Sequence, residues 1–439
     1  MNMSSARNRC LSIVVGFGIL LSHPADAFHV EDVATADGAR GWVVSQQESA
    51  LVAVEIAFEG GTMADPPGQE GVGELLAALL SEGAGNMDAL AFKDRTSHLR
   101  ARLSSTVDRS ALYVRLLTAS EQLQSAIHLV ALMLHSPRLD ARTLERMQPS
   151  LARNLHEEAR SPEQVATREW YRTVFPEHPI ARWPTRETVE KLSRQDLIVH
   201  RARLIAKSNL RAVFVGRIDR QEATWALDRI AQGLPGDTDV GSAGKAEPKA
   251  SEKRVFREVD KSVAAAVFGA PALEIDHRDY AALHVANHVL GSGDFDSRLM
   301  RELRSRHGMT YSVRMDLVGD KYVSMAIGEV IAPEENLRGV LNSIREVLAE
   351  FAHDGPNQEE LDRAKGHLQG SFFANFDGGA KAARTLMGLL LRGKSPGYLQ
   401  ERSQQLEAVS LQDARRVAAE IYEPSRLVIS VAGKTRPDR

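Results

Sequence analysis

Two stretches, LRAVFVG at Leu210–Gly216 and RLVISVAG at Arg426–Gly433, decide how the chain is to be read. Each is an apolar run of strand length closed by glycine. The closing glycines lie 433 − 216 = 217 residues apart. Nearer the start of each half an apolar strand ends on phenylalanine: Phe58 closes Val52–Phe58 (VAVEIAF), and Phe268 follows 210 residues later. Ala111–Leu116 reads as a further strand, entered through the turn Asp108-Arg109. Gly73–Leu80, Glu121–Leu134 and Leu144–Glu158 read as helices. The polar run from Gly236 to Lys253 (GDTDVGSAGKAEPKASEK) reads as a linker. The expectation is one α/β (α+β) fold written twice, each half a mixed sheet flanked by helices. An N-terminal domain would span 28–235, the linker 236–253 and a C-terminal domain 254–439.

Composition narrows the function. The 439 residues hold 55 basic and 58 acidic side chains, a net charge of −3, and one cysteine. That length predicts two or three domains, each burying its own core. A near-neutral balance argues against nucleic acid as a partner, which demands a basic excess. One cysteine excludes a disulfide scaffold and a cysteine-rich metal module. Arg7 and Arg9, the apolar run Leu11–Leu21 and Ala25-Asp26-Ala27 have the order of a secretory signal, so residues 1–27 read as a cleaved address. The run is too short to span a bilayer, and no membrane span is expected after cleavage. Cleavage would remove Cys10 and leave a charge of 53 − 57 = −4. A periplasmic or secreted location follows as an expectation.

Phe58-Glu59-Gly60-Gly61-Thr62 and Gly71-Val72-Gly73 open an ordered set of short motifs. Phe175-Pro176-Glu177-His178-Pro179 comes next, then Asp196-Leu197, Ser208-Asn209 and Val215-Gly216. The second half adds Leu290-Gly291-Ser292-Gly293, Ser297-Arg298-Leu299, Leu303-Arg304, Gly308-Met309-Thr310-Tyr311-Ser312-Val313, and Glu360-Leu361 with Ala364-Lys365. In this order and over the whole mature chain, the set resembles the insulinase/pitrilysin-type zinc peptidases and the subunits of mitochondrial processing peptidase. The resemblance implies mostly antiparallel sheets in two homologous halves that form a bilobed half-shell.

Active members of that family carry H-x-x-E-H on the helix after the first glycine stretch, where two histidines grip zinc and the glutamate is the base. Aligning Gly71-Val72-Gly73 places Glu74, Ala77 and Ala78 at those three positions. Alanine neither ligates a metal nor accepts a proton. The third ligand of the family falls within Leu151–Glu158, where the alignment gives Arg153, with Glu157 and Glu158 close by. The isolated chain is therefore expected to hold no metal and to cleave no peptide. His284 and His288 have the i, i+4 spacing of a ligand pair and lie 284 − 74 = 210 residues after Glu74, in the second half's copy of the motif. Asn287 stands at the base position and cannot take up a proton. These histidines read as packed helix residues. Gly291-Ser292-Gly293 reads as a helix C-cap, or, by the resemblance, as the loop facing the substrate chamber.

The same resemblance assigns a role to Leu303-Arg304-Ser305-Arg306-His307-Gly308-Met309-Thr310-Tyr311. In bacterial two-chain relatives the subunit without zinc supplies an Arg and a Tyr from this segment to the scissile region. Arg304 and Tyr311 keep that spacing, and a guanidinium with a phenol suits a peptide carbonyl or its oxyanion. Arg298, Arg301 and Arg306 read as a solvated helix face. The implied function is a catalytically deficient subunit of a heterodimer whose homologous partner carries the zinc. Its substrate would be a peptide or small unfolded protein, held as an added strand. The alternative is a peptide-binding or scaffolding protein of the same fold without a catalytic partner. An unconventional metal enzyme at His284 and His288 has the least support.

Overall fold

The computed structural model describes residues 28–238, 240, 243–249 and 252–436; the signal-like segment lies outside them. Among the described residues eleven strands form two sheets. The first comprises β1 (Glu31–Ala34), β2 (Arg40–Ser45), β3 (Leu51–Glu59), β4 (Arg102–Val107), β5 (Ala111–Ala119) and β6 (Leu210–Gly216), in the order β1-β2-β6-β3-β5-β4. The second comprises β7 (Lys253–Glu258), β8 (Val263–Pro271), β9 (Ser312–Gly319), β10 (Ser324–Pro333) and β11 (Val428–Gly433), in the order β7-β11-β8-β10-β9. Only β2–β6 and β7–β11 pair in parallel; every other pairing is antiparallel. Dropping β1 makes the two topologies identical, with LRAVFVG and RLVISVAG as the matching central strands β6 and β11. The chain is thus a mixed α/β fold in two halves.

Side chains alternate across each strand. Val52, Val54, Ile56 and Phe58 of β3 face helices of their own half, against Leu75, Leu76, Ile127 and Val130. Ala53 and Ala57 face the other way and meet Ala382, Ala383, Leu386 and Met387, on the helix Gly379–Leu391 of the second half. The second sheet receives the converse. Its Val267, Ile327, Val428 and Ala432 pack against Ala166, Trp170 and Val174 of the helix Pro162–Val174 from the first half. The Trp170 indole is fully buried and donates Nε1–H to the Val428 carbonyl at 2.9 Å. Gly269 makes room for it, since a Cβ there would stand 2.9 Å from the Trp170 ring. The expectation that each half buries its own core therefore holds for one face of each sheet only. The other face is covered by an exchanged helix, a pairing that length and hydrophobic periodicity do not encode. The polar stretch before β7 is tied down, with the backbone N–H groups of Ala246 and Lys249 donating to Tyr322 O and Val174 O.

Candidate functional site

The motif helix spans Val72–Leu80, one residue earlier than the sequence predicts. Two glycines and a carboxylate set its start. Gly71 is left-handed (φ 100°), and the buried Asp65 accepts from the N–H groups of Gly71 and Gly73 at 2.8 and 3.1 Å. A helix N-terminus favours an anion, yet burial pushes the Asp65 carboxyl up to about 7. His200 sits beside it, 3.5 Å away without hydrogen-bond geometry, and burial lowers its pKa to about 4. Leu75 and Leu76 enter the core, which turns Glu74, Ala77 and Ala78 toward the helix Ala141–Glu158 and the edge strand β4. Ala77 is buried, and its carbonyl accepts from the Ser105 hydroxyl.

Glu74 faces an environment that the sequence did not announce. Burial raises its pKa, the neighbouring Glu158 adds to the rise, and Arg168 and Arg109 oppose it. On this helix Glu158, half-buried, is the residue that reaches Glu74 and Arg168, whereas Arg153, which the alignment placed at the third-ligand position, is exposed. Arg168 is buried and holds Glu158 through Nη2–H to Oε2 at 2.6 Å. The Arg109 guanidinium lies 3.6 Å from the Trp183 ring centroid and 5.1 Å from that of Tyr171, and it donates to Ile180 O. Arg168 is 5.4 Å from the same Trp183 ring. Burial lowers the pKa of both arginines, that of Arg109 to about 10.

Two carboxylates and two guanidiniums make a site whose charges already cancel. Zinc needs neutral imidazoles or uncommitted carboxylates as ligands. Here the histidine positions are Ala78 and Glu74, the base position is Ala77, and Glu158 is engaged by Arg168. These residues do not fit the metal. Among the described residues no group of three or more His, Cys, Asp or Glu could hold one.

The second half's copy of the motif is dismantled differently. Helix Tyr280–Asn287 passes into a wider turn at His288–Ser292. His288 Nε2 meets His367 Nδ1 at 2.9 Å, and both rings line a cavity of about 330 Å³ with Asp294, Phe295 and Arg301. His284 lines a separate cavity, and burial lowers its pKa to about 3. The two histidines share a helix but not a site. Asn287 is a buried tie: its amide donates to Met315 O at 2.9 Å and its oxygen accepts from the Tyr422 hydroxyl at 3.0 Å. Gly291 lies against β9, where a Cβ would approach Met315 Cβ to 2.5 Å; it is a packing glycine inside the wide turn.

Arg298 and Arg301 are not a solvated face. Arg298 clamps Glu360 with Nε and Nη2 at 3.0 and 2.8 Å, and Arg301 reaches the same carboxylate at 3.3 Å. Arg306 does face solvent, paired with Glu302 one turn back. Arg304 and Tyr311 stand apart from these. Both are exposed, Tyr311 by 56%. The Arg304 guanidinium lies 5.3 Å from the centroid of the exposed Phe295 ring. Tyr311 is fixed by its backbone, whose N–H donates to Ile331 O. Among the described residues neither the Arg304 guanidinium nor the Tyr311 hydroxyl has a hydrogen-bond or ion-pair partner.

Two models of one family match most of the chain: insulinase (peptidase family M16) over residues 42–184, and the peptidase M16 inactive domain over residues 191–368. The chain belongs to the M16 family. Its relatives include a Helicobacter pylori protein named non-peptidase homolog YmxG, 24% identical over 88% of this chain and 90% of its own length. Another is an uncharacterized zinc protease of Mycobacterium leprae, 23% identical over 78% and 81%. The M16 inactive domain from Pseudomonas fluorescens superposes with a TM-score of 0.86 at 23% identity, covering 93% of this chain and 98% of that one. The periplasmic protease PqqL from Escherichia coli gives 0.78 at 15% identity; the match covers 99% of this chain but 49% of PqqL. Among M16 folds this chain thus resembles both a homologue named for lacking peptidase activity and relatives named for having it.

Arg109, Arg168, Trp183 and Tyr171 are the neighbours of the motif position that sequence reading missed. Arg109 read only as a turn residue, and Arg168 was not singled out. The available signal was Arg168's place on a helix whose other face carries Ala166, Trp170 and Val174.

Proposed function

We propose that this chain is the catalytically deficient subunit of a secreted or periplasmic two-chain zinc peptidase, with zinc and the general base supplied by a homologous partner. One observation carries the reading. The motif site is closed by Arg168 and Arg109, while Arg304 and Tyr311, set in the segment that the family resemblance assigns to substrate, have polar ends without hydrogen-bond or ion-pair partners among the described residues. A group kept for the fold is tied inward, as Arg298 and Asn287 are; these two are presented outward. The fork of Arg304 would hold a peptide carbonyl or the oxyanion formed from it, and the Tyr311 hydroxyl would donate a second hydrogen bond. The match of this chain to half of PqqL supports a chamber made of two such units. That PqqL is described as periplasmic agrees with the signal-like segment. No helix among the described residues is long and apolar enough to cross a membrane.

The test is reconstitution. The purified chain alone should show no chelator-sensitive cleavage of unstructured peptides. With the partner that carries H-x-x-E-H it should restore cleavage, and Arg304→Ala or Tyr311→Phe should lower kcat without dissociating the complex. Zinc-dependent cleavage by the isolated chain refutes the assignment. A stable complex in which both variants keep full turnover refutes the role given to the pair and favours a scaffold.

A further inference from the structure

The second half contains a cavity that neither the motif site nor the Arg304–Tyr311 surface uses. It encloses about 530 Å³ among the helices Tyr280–Asn287, Gln358–Phe373, Gly379–Leu391 and Tyr398–Ala408. Three guanidinium groups, those of Arg384, Arg392 and Arg402, line it together with Tyr280, Tyr398 and His284, and no Asp or Glu does. The carboxylates that act on its wall each hold another cation: Asp276 pairs with Lys394, and Glu55, which also acts electrostatically on Arg384, pairs with Arg115.

Arg402 lines the cavity with a nitrogen left unpaired. Its face packs 4.1 Å from the Phe372 ring centroid, and its Nη2 reaches the Leu368 carbonyl only at 3.5 Å. Its Nη1 is buried and meets no hydrogen-bond partner. A buried guanidinium nitrogen left unpaired is costly, and like charges converging in a partly desolvated space repel. Arg392 spends Nε on the Gly319 carbonyl and keeps the rest of its fork. Tyr280 and Tyr398 lie close enough to Arg402 and Arg392 to interact electrostatically with both. Such a wall lacks one thing, an anion, and the planar fork of arginine matches the oxygens of carboxylate or phosphate. The apolar side of the cavity, with Leu368 and Phe372, suits a hydrocarbon or aromatic body.

We propose that this cavity binds a small organic anion, a phosphate or carboxylate on an apolar body, seated on Arg402 and Arg384. The site lies within this chain and needs no partner subunit. Phenyl phosphate and 3-phenylpropionate, titrated separately into the intact chain by calorimetry, test it and tell the two head groups apart. At least one should bind saturably at one site, weaken with added salt, and lose tenfold or more in affinity in Arg402→Gln. Arg384 is exposed, so Arg384→Gln is the second variant, expected to weaken binding without disturbing the fold. No saturable binding of either compound at millimolar concentration overturns the proposal. So does binding that both variants leave unchanged.

Discussion

Replacing Arg168 with methionine should destabilise the chain by about 2 kcal/mol, more at high pH than at low. The estimate lies between two limits: an exposed ion pair contributes about 0.2–1 kcal/mol, and breaking a buried one costs about 3–5 kcal/mol. The Arg168–Glu158 pair is intermediate, with 11% of the arginine side chain exposed and 45% of the glutamate. Methionine keeps an unbranched apolar stem of similar length, so the loss reports charge more than volume. Glu74 already has a raised pKa through burial and Glu158, with Arg168 opposing the rise. Without Arg168 the folded carboxyl binds its proton more tightly still. A folded pKa above the unfolded one means stability is lost as pH rises through it, so the deficit should be larger at pH 8 than at pH 5. Urea unfolding at both pH values, followed by tryptophan fluorescence, measures it. Adding Glu74→Gln to Arg168→Met should recover part of the loss, with a coupling of about 1 kcal/mol. A deficit under about 0.5 kcal/mol at both pH values, or strictly additive mutants, would refute the claim that Arg168 neutralises this site.

Restoring the motif letters alone, as Glu74→His, Ala77→Glu and Ala78→His together, should not yield stoichiometric zinc uptake in equilibrium dialysis, because Arg168 and Arg109 still fill the site. Trp170→Ala should cost about 3–5 kcal/mol, read by thermal or urea unfolding, since the indole and its bond to Val428 join one half's helix to the other half's sheet. Glu360→Gln should flatten the acid limb of the stability curve. Burial raises the Glu360 pKa, but hydrogen bonds from Arg298, Asn357 and Arg301 outweigh it and bring it to about 2. Its stabilisation is complete above the ordinary value near 4.5 and lost as pH falls toward 2, which acid titration monitored by circular dichroism would show.

The strands were legible because each is a short apolar run with a turn signal at its end. Val52–Phe58 grew by one residue at each end, and the repeat of LRAVFVG as RLVISVAG matched central strands of equal topology. The helices over Leu123–His135 and Ala141–Glu158 were legible from their spacing. What a face packs against was not. The amphipathic helix Pro162–Val174 shows that it must bury Trp170, but nothing local says that the covering sheet starts about ninety residues later. The same holds for charge. Arg298, Arg301 and Arg306 read alike in the sequence, and only the fold sets the first two on Glu360 and leaves the third in solvent beside Glu302. The histidines keep their i, i+4 spacing, with the His288 N–H donating to the His284 carbonyl, yet they line different cavities, as packed helix residues would.

The exchanged helices also carry a consequence for how the protein is made. As the chain is synthesised, β1 to β6 are complete by residue 216, yet the apolar face of that sheet lined by Trp42, Ala53 and Val213 waits for residues 379–391. For more than 160 residues of growth the first sheet has one face bare, and the helix Pro162–Val174 in turn waits for β8, β10 and β11. A nascent chain in that condition exposes apolar surface and unsatisfied pairing for as long as translation takes, which invites aggregation and calls for a holding chaperone. The two halves must therefore finish folding together, and a stop codon anywhere before residue 379 should leave an insoluble fragment rather than a working half.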